Sequence, residues 1–284
     1  METIVKPIQF AAMGASLVIA VGLPVLLAIL WHKRTGAKWI SLLVGMLIFP
    51  AFVFGLENVC HQLFIYQPNP ISNYVNAHPL ILMLYGGLAA GIFEETGRLV
   101  AFFWLLRKQN GREAGVMYGI GHGGIEAALI CGVGMVSNIA FSIALNTQGA
   151  AAMLASVPAE QQATIAASIE SLNTAPAGML LMSGVERIIA ITLHIALSVL
   201  VFTAVKRKKM WLYPVAILLH AAVDCIAVLY QQQYITNIYV LEAIIAAATA
   251  AIAYWAYRIY QADAPVAMPE EAPVVPENSE TVGE

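Results

Sequence analysis

Ionisable side chains recur at helical spacing inside otherwise apolar sequence. They are Glu94-Glu95-Thr96-Gly97-Arg98, His122-Gly123-Gly124-Ile125-Glu126, Glu186-Arg187 followed by His194, and His220-Ala221-Ala222-Val223-Asp224. Residues three or four apart lie on one face of a helix, so each stretch presents a small polar set rather than scattered charges. Hydrolysis of a peptide bond needs a deprotonated water. A carboxylate paired with histidine supplies one at neutral pH, and so does a metal held by histidines. Both sets of parts are here.

Two adjacent carboxylates in a medium of low dielectric are costly to keep ionised together. One of Glu94 and Glu95 is therefore expected to pair with Arg98, leaving the other for base work; spacing alone does not say which. Asp224, one turn from His220, either orients that imidazole or bonds a neighbouring helix. Glu186-Arg187 reads as a structural ion pair and Glu57 with His61 as an interfacial pair, both outside the core site. Gly121, Gly123 and Gly124 around His122 let backbones approach closely or open a pocket.

The elements that must position these groups are set by composition. Of 284 residues, 60% are hydrophobic and only 11% charged, with mean hydropathy +0.76; soluble domains carry about a quarter charged residues. Lipid is the solvent for most of such a chain. A span needs about 20 apolar residues, and seven segments qualify: 8–31, 39–60, 79–106, 113–145, 176–205, 211–230 and 238–260. The first is too long for a signal-peptide core and ends in His32-Lys33-Arg34 rather than a cleavage site. The fourth is long enough to be tilted or interrupted. The expected class is all-α: a polytopic membrane domain over 1–260, followed by a disordered, acidic, Pro-rich cytoplasmic tail over 261–284.

Lys and Arg cluster after the first, third and fifth spans, at Lys33, Arg34 and Lys38, at Arg107, Lys108 and Arg112, and from Lys206 to Lys209; the alternate loops have none. Positive-inside insertion then puts the N-terminus outside and the C-terminus in the cytoplasm. The loop after the fourth span carries Ser156-Val157-Pro158 before an Ala- and Gln-rich run, read as a short surface helix with Ser156 as its cap. Cys60, Cys131 and Cys225 show no disulfide or finger spacing, and no basic patch points to nucleic acid.

Counting from the basic loops gives depth. His122 lies 10 residues from Arg112, His194 12 from Lys206, His220 11 from Lys209 and Glu95 12 from Arg107. At about 1.5 Å per residue all four sit roughly 15–18 Å in, at one level. Ionisable groups at that depth mark function by default. The other three histidines, His32, His61 and His78, fall at span ends or in a loop.

At Glu94-Glu95-x-x-Arg98, His122-x-x-x-Glu126, His194 and His220-x-x-x-Asp224 the sequence resembles the YhfC family of intramembrane metalloproteases. That family is a branch of the superfamily that includes the CAAX prenyl proteases, the Abi proteins and PrsW. The likeness covers about residues 8–260. It implies a lateral cavity, Glu94 as base with His122 its closest partner, and His220 with Asp224 stabilising the oxyanion or helping to hold metal. Three histidines, His122, His194 and His220, would suit Zn2+ with a fourth position open for water. CAAX proteases show EExxxR, whereas Arg98 here follows Glu95 by three residues; Asp224 stands where they often carry Asn, and Glu126 is extra. These departures point to the YhfC branch and away from prenyl-protein substrates.

The resulting expectation is a peptide hydrolase of a bacterial plasma membrane, acting on a membrane-embedded or membrane-anchored polypeptide. Its competitors are a proton-coupled transporter, which uses the same buried residue types, and a non-catalytic membrane subunit.

Overall fold

The computed structural model describes residues 5–263. Seven helices in it are long and apolar enough to cross a bilayer: Pro7–Thr35, Trp39–Tyr66, Pro79–Leu105, Glu113–Gln148, Ala177–Lys206, Leu212–Gln231 and Ile238–Ala262. They are called the first to seventh spans below. No strand occurs among the described residues. The tail expected over 261–284 lies, beyond Asp263, outside them.

The second span runs six residues past its expected end and continues through Pro50. Proline removes a helical N–H and crowds the preceding turn. Here the chain answers by widening into i→i+5 turns over Ala51–Glu57 and again over Gln62–Tyr66. The third span widens at Ala101–Leu105, where the Leu106 amide bonds the Ala101 carbonyl at 2.7 Å. The fourth is interrupted in the same way at Ala128–Gly132, directly after Glu126. Such segments re-aim the side chains that follow them.

The fifth span is the centre of the bundle. In its most apolar stretch 67% of residues are buried, against 22–33% in the other six spans. It packs on the first, fourth and seventh spans, while the third pairs with the sixth and the second with the fourth. Lipid tails are as apolar as leucine, so contact between spans rests on close van der Waals fit and on small residues. At Gly119 a Cβ would lie 2.6 Å from the Ile195 Cα, and at Gly123 it would lie 3.0 Å from the His194 Cβ. The fourth span thus lies backbone-close on the fifth, and this closeness brings His122 to His194. Gly121 and Gly124 are packing positions too, against Leu42 and Pro24.

Gly119→Val is therefore expected to force these spans apart. A loss of about 1–3 kcal/mol follows from overpacking of this kind. Thermal unfolding in detergent checks it, and an unchanged midpoint would show that the spans can separate freely.

Cations close the basic end. Lys206 Nζ donates to the carbonyls of Leu106 and Arg107 at 2.9 and 3.0 Å, Arg112 to that of Tyr260 at 2.6 Å, and Arg207 to that of Asn110 at 3.1 Å. Terminal carbonyls lack helical partners and carry the negative end of the helix dipole, which cations satisfy. At the opposite end Gln9 ties the first span to the carbonyls of Leu172 and Ala175 at 2.8 and 2.9 Å. The expected surface helix is Ala159–Thr174, but Pro158 rather than Ser156 holds its capping position. Ser156 instead ends the short helix Ala150–Ala155, with its hydroxyl on the Met153 carbonyl at 2.8 Å. Two helices in that loop displaced the cap.

Candidate active site

Glu94, on the third span, is the point on which the other groups converge. Its Oε2 lies 2.8 Å from His122 Nε2, 3.6 Å from Arg98 Nη2 and 3.8 Å from His194 Nδ1. Its Oε1 lies 4.0 Å from His220 Nε2. Histidines from the fourth, fifth and sixth spans thus each turn one ring nitrogen toward a single carboxylate. The rings themselves sit side by side, His122 and His194 tilted with centroids 5.2 Å apart and His194 and His220 T-shaped at 5.5 Å. All are buried.

The question that spacing left open is answered by geometry. Arg98 Nη1 pairs closely with Glu95, three residues back on its own helix, and keeps only the longer contact to Glu94. Glu95 also receives His220 Nδ1 at 2.8 Å. Glu94 is the carboxylate left facing the histidines.

Tautomers follow from which partners can only donate. A guanidinium has no acceptor, so His194 Nδ1, 2.6 Å from Arg98 Nη2, must accept. That leaves the His194 proton on Nε2, directed at Glu126 Oε2. An ionised carboxylate only accepts, so His220 donates from Nδ1 to Glu95, and in the neutral ring this leaves Nε2, which faces Glu94 Oε1 and Asp224 Oδ2, as the free ring nitrogen. A carboxylate behind the ring in this way is the usual second partner of a ligating histidine. His122 has Tyr118 behind it, with its hydroxyl 3.4 Å from Nδ1.

A divalent cation fits this donor set. Glu94, His122 and His194 offer ligand atoms that all lie within 4.8 Å of one another, and all three residues are buried. Nitrogen with carboxylate oxygen is a zinc-type combination. A cation at His194 Nδ1 would replace the Arg98 hydrogen bond there, whereas His220 presents its nitrogen without such a competitor. The second oxygen of Glu95 is buried and has no partner among the described residues.

Two residues of the site were not picked out from the sequence. Arg187, set aside with Glu186 as a structural pair, donates to Glu126 Oε1 at 3.0 Å and so holds the carboxylate that holds His194. Its position seven residues before His194, on the same helix face, was the available sign. Ser198, one turn after His194, accepts from Arg98 Nε at 3.2 Å and donates to the His194 carbonyl at 2.6 Å. Apolar neighbours gave no hint of it. Asp224 Oδ2 reaches His220 Nε2 at 3.5 Å. The Glu57–His61 pair forms at 3.3 Å with Glu57 buried, and His61 Nδ1 lies 2.9 Å from the Tyr85 hydroxyl of the third span.

A cavity of about 130 Å³ opens beside this cluster, lined by Glu94, Glu126, Arg187, His194, His220 and Asp224 among others. It offers room for a reacting group against the Glu94 carboxylate.

Sequence comparison places this arrangement. The profile of the family described as YhfC intramembrane metalloprotease matches residues 18–245. The uncharacterized membrane protein YhfC of Bacillus subtilis (strain 168) is 34% identical over 259 residues, which is 90% of this chain and 98% of that protein. No solved structure matches. With the match spanning most of the seven helices and every histidine of the buried layer, the chain is a multi-pass membrane protein that belongs to the YhfC intramembrane metalloprotease family.

Proposed function

We propose that the protein hydrolyses a peptide bond of a membrane-embedded or membrane-anchored polypeptide, at the level of the Glu94 carboxylate. The observation that carries this reading is the convergence of His122, His194 and His220, from three different spans, on that one carboxylate. Structural ion pairs within a bundle need two partners, and a shared focus of three histidines exceeds what neutralising one glutamate requires.

In this reading the three histidines would hold Zn2+, which when bound would bring the ionisation of a water toward neutral pH and polarise a carbonyl. Glu94 takes the proton of the attacking water on its carboxylate and returns it to the leaving amine as the C–N bond breaks. Glu95 keeps His220 in the tautomer that presents Nε2, and Glu126, held by Arg187, fixes the His194 ring. Arg98, anchored by Glu95 and Ser198, supplies positive charge next to the Glu94 carboxylate as the oxyanion develops.

The test is elemental mass spectrometry of detergent-purified protein together with a cleavage assay on transmembrane peptides. Wild type is expected to carry about one zinc per chain, and His122→Ala to lose both metal and cleavage. A His122→Ala protein that loses metal but cuts at the wild-type rate would sink the metal role. Absence of cleavage by wild type would turn the site toward a transport or subunit role.

A further inference from the structure

The cavity beside Glu94 is not a closed shell around the histidines. From Glu94, His194 and His220 it runs between the fifth, sixth and seventh spans, past Asp224, Glu186 and Thr249. Its course is toward the end of the bundle whose loops lack Lys and Arg. The seventh span has no part in the hydrolytic cluster, yet it places one polar group on the cavity wall and a second outside the lining, further toward the same end.

One is Thr249. A threonine inside a helix ordinarily bonds the carbonyl one turn back, as Thr192 does to Ile188 at 2.8 Å and Thr203 to Val199 at 2.8 Å. The Thr249 hydroxyl is buried, lines the cavity, and has no hydrogen-bond partner among the described residues. The other is Glu242, seven residues earlier on the same face. It is 6% exposed, its Oε2 is buried without a partner, and Glu186 and Arg187 lie within electrostatic range. A buried acceptor left unmatched is costly, and a carboxylate more so.

Charge points the same way. Among the described residues that line the cavity, four carboxylates, Glu94, Glu126, Glu186 and Asp224, stand against one guanidinium, Arg187, and Glu242 lies within electrostatic range.

We propose that the cavity is a subsite for one basic side chain, lysine or arginine, of the polypeptide being cut, with the Thr249 hydroxyl on its wall and the Glu242 carboxylate beyond that wall as its acceptors. Glu186, half-exposed at the mouth, is the first acidic group such a chain meets. The polypeptide part rests on the hydrolytic reading above; the organic-cation site does not.

Two measurements on the full-length protein separate the two ideas. The first titrates n-butylammonium, a lysine side-chain mimic, and its neutral counterpart n-butanol, with thermal shift and calorimetry as readouts. Saturable binding of the ammonium alone is expected, weakened about tenfold in Glu242→Gln and in Thr249→Val, both close in shape to the native residues. Equal responses to the two compounds, or ammonium binding unchanged in both variants, would overturn the proposal. The second measurement offers transmembrane peptides carrying Lys, Arg, Leu or Glu around the cut. Preference for Lys and Arg over Leu is expected, with at least a tenfold loss of that preference in Glu242→Gln. Cleavage indifferent to basic residues overturns the subsite, whereas ammonium binding with no cleavage of any peptide keeps the cation site and removes the hydrolase.

Discussion

Glu94→Gln protein is expected to cut transmembrane peptides at least about a thousandfold more slowly than wild type while keeping its zinc. General base catalysis contributes about 10²–10⁴-fold, and the amide cannot take a proton from water at neutral pH. The substitution changes no volume, and a glutamine at this point still meets His122 Nε2, which lies 2.8 Å from the native oxygen. Single-turnover cleavage and elemental mass spectrometry on one preparation separate the roles. Zinc retained with turnover lost marks Glu94 as the base. Zinc lost along with turnover marks it as a ligand, consistent with the compact Glu94–His122–His194 group. Wild-type turnover would remove Glu94 from the chemistry altogether.

Arg98→Met is expected to cost about 3–5 kcal/mol of stability, the usual penalty for stripping one partner from a buried ion pair. Arg98 is fully buried and serves Glu95, Glu94, His194 and Ser198 together. Without it Glu95 is left buried with only the His220 Nδ1 contact at 2.8 Å, and His194 loses the donor that sets its tautomer. Adding Glu95→Gln to Arg98→Met should recover a substantial part of the loss, because the stranded charge is then gone. Denaturant unfolding of the single and double variants measures the coupling. Additive losses would show that Arg98 contributes packing rather than neutralisation.

Spans and depth were legible because both rest on one-dimensional quantities. Apolar run length decides what crosses a bilayer, and residue counts from basic loops put His122, His194 and His220 at the level where the structure has them meet. Helix faces were less legible wherever the helix is not regular. Spacing rules assume 3.6 residues per turn, and four wide-turn segments break that rule. The second span shows the effect: Glu57 closes such a segment and ends buried against the bundle. Arg187 was hidden for a different reason. Its obvious neighbour, Glu186, accounts for it locally, so only the three-dimensional approach of Glu126 from the fourth span reveals its second task. The pairing of Arg98 was ambiguous because i,i+3 and i,i+4 partners are equally close on an ideal helix. Side-chain geometry alone separates them.

The Glu95–Arg98 pair also bears on how the chain enters the membrane. A single Arg, Lys or Asp at the centre of an inserting helix costs about 2.5–3.5 kcal/mol, and the third span carries three ionisable residues within five positions. Two of them, Glu95 and Arg98, belong to one helix and sit one turn apart, so they can neutralise each other before the histidine-bearing spans have been synthesised. The third span thus brings its own counter-ion to the translocon. His122, His194 and His220 reach the membrane later in translation, and they meet a Glu94 whose adjoining charges are already balanced.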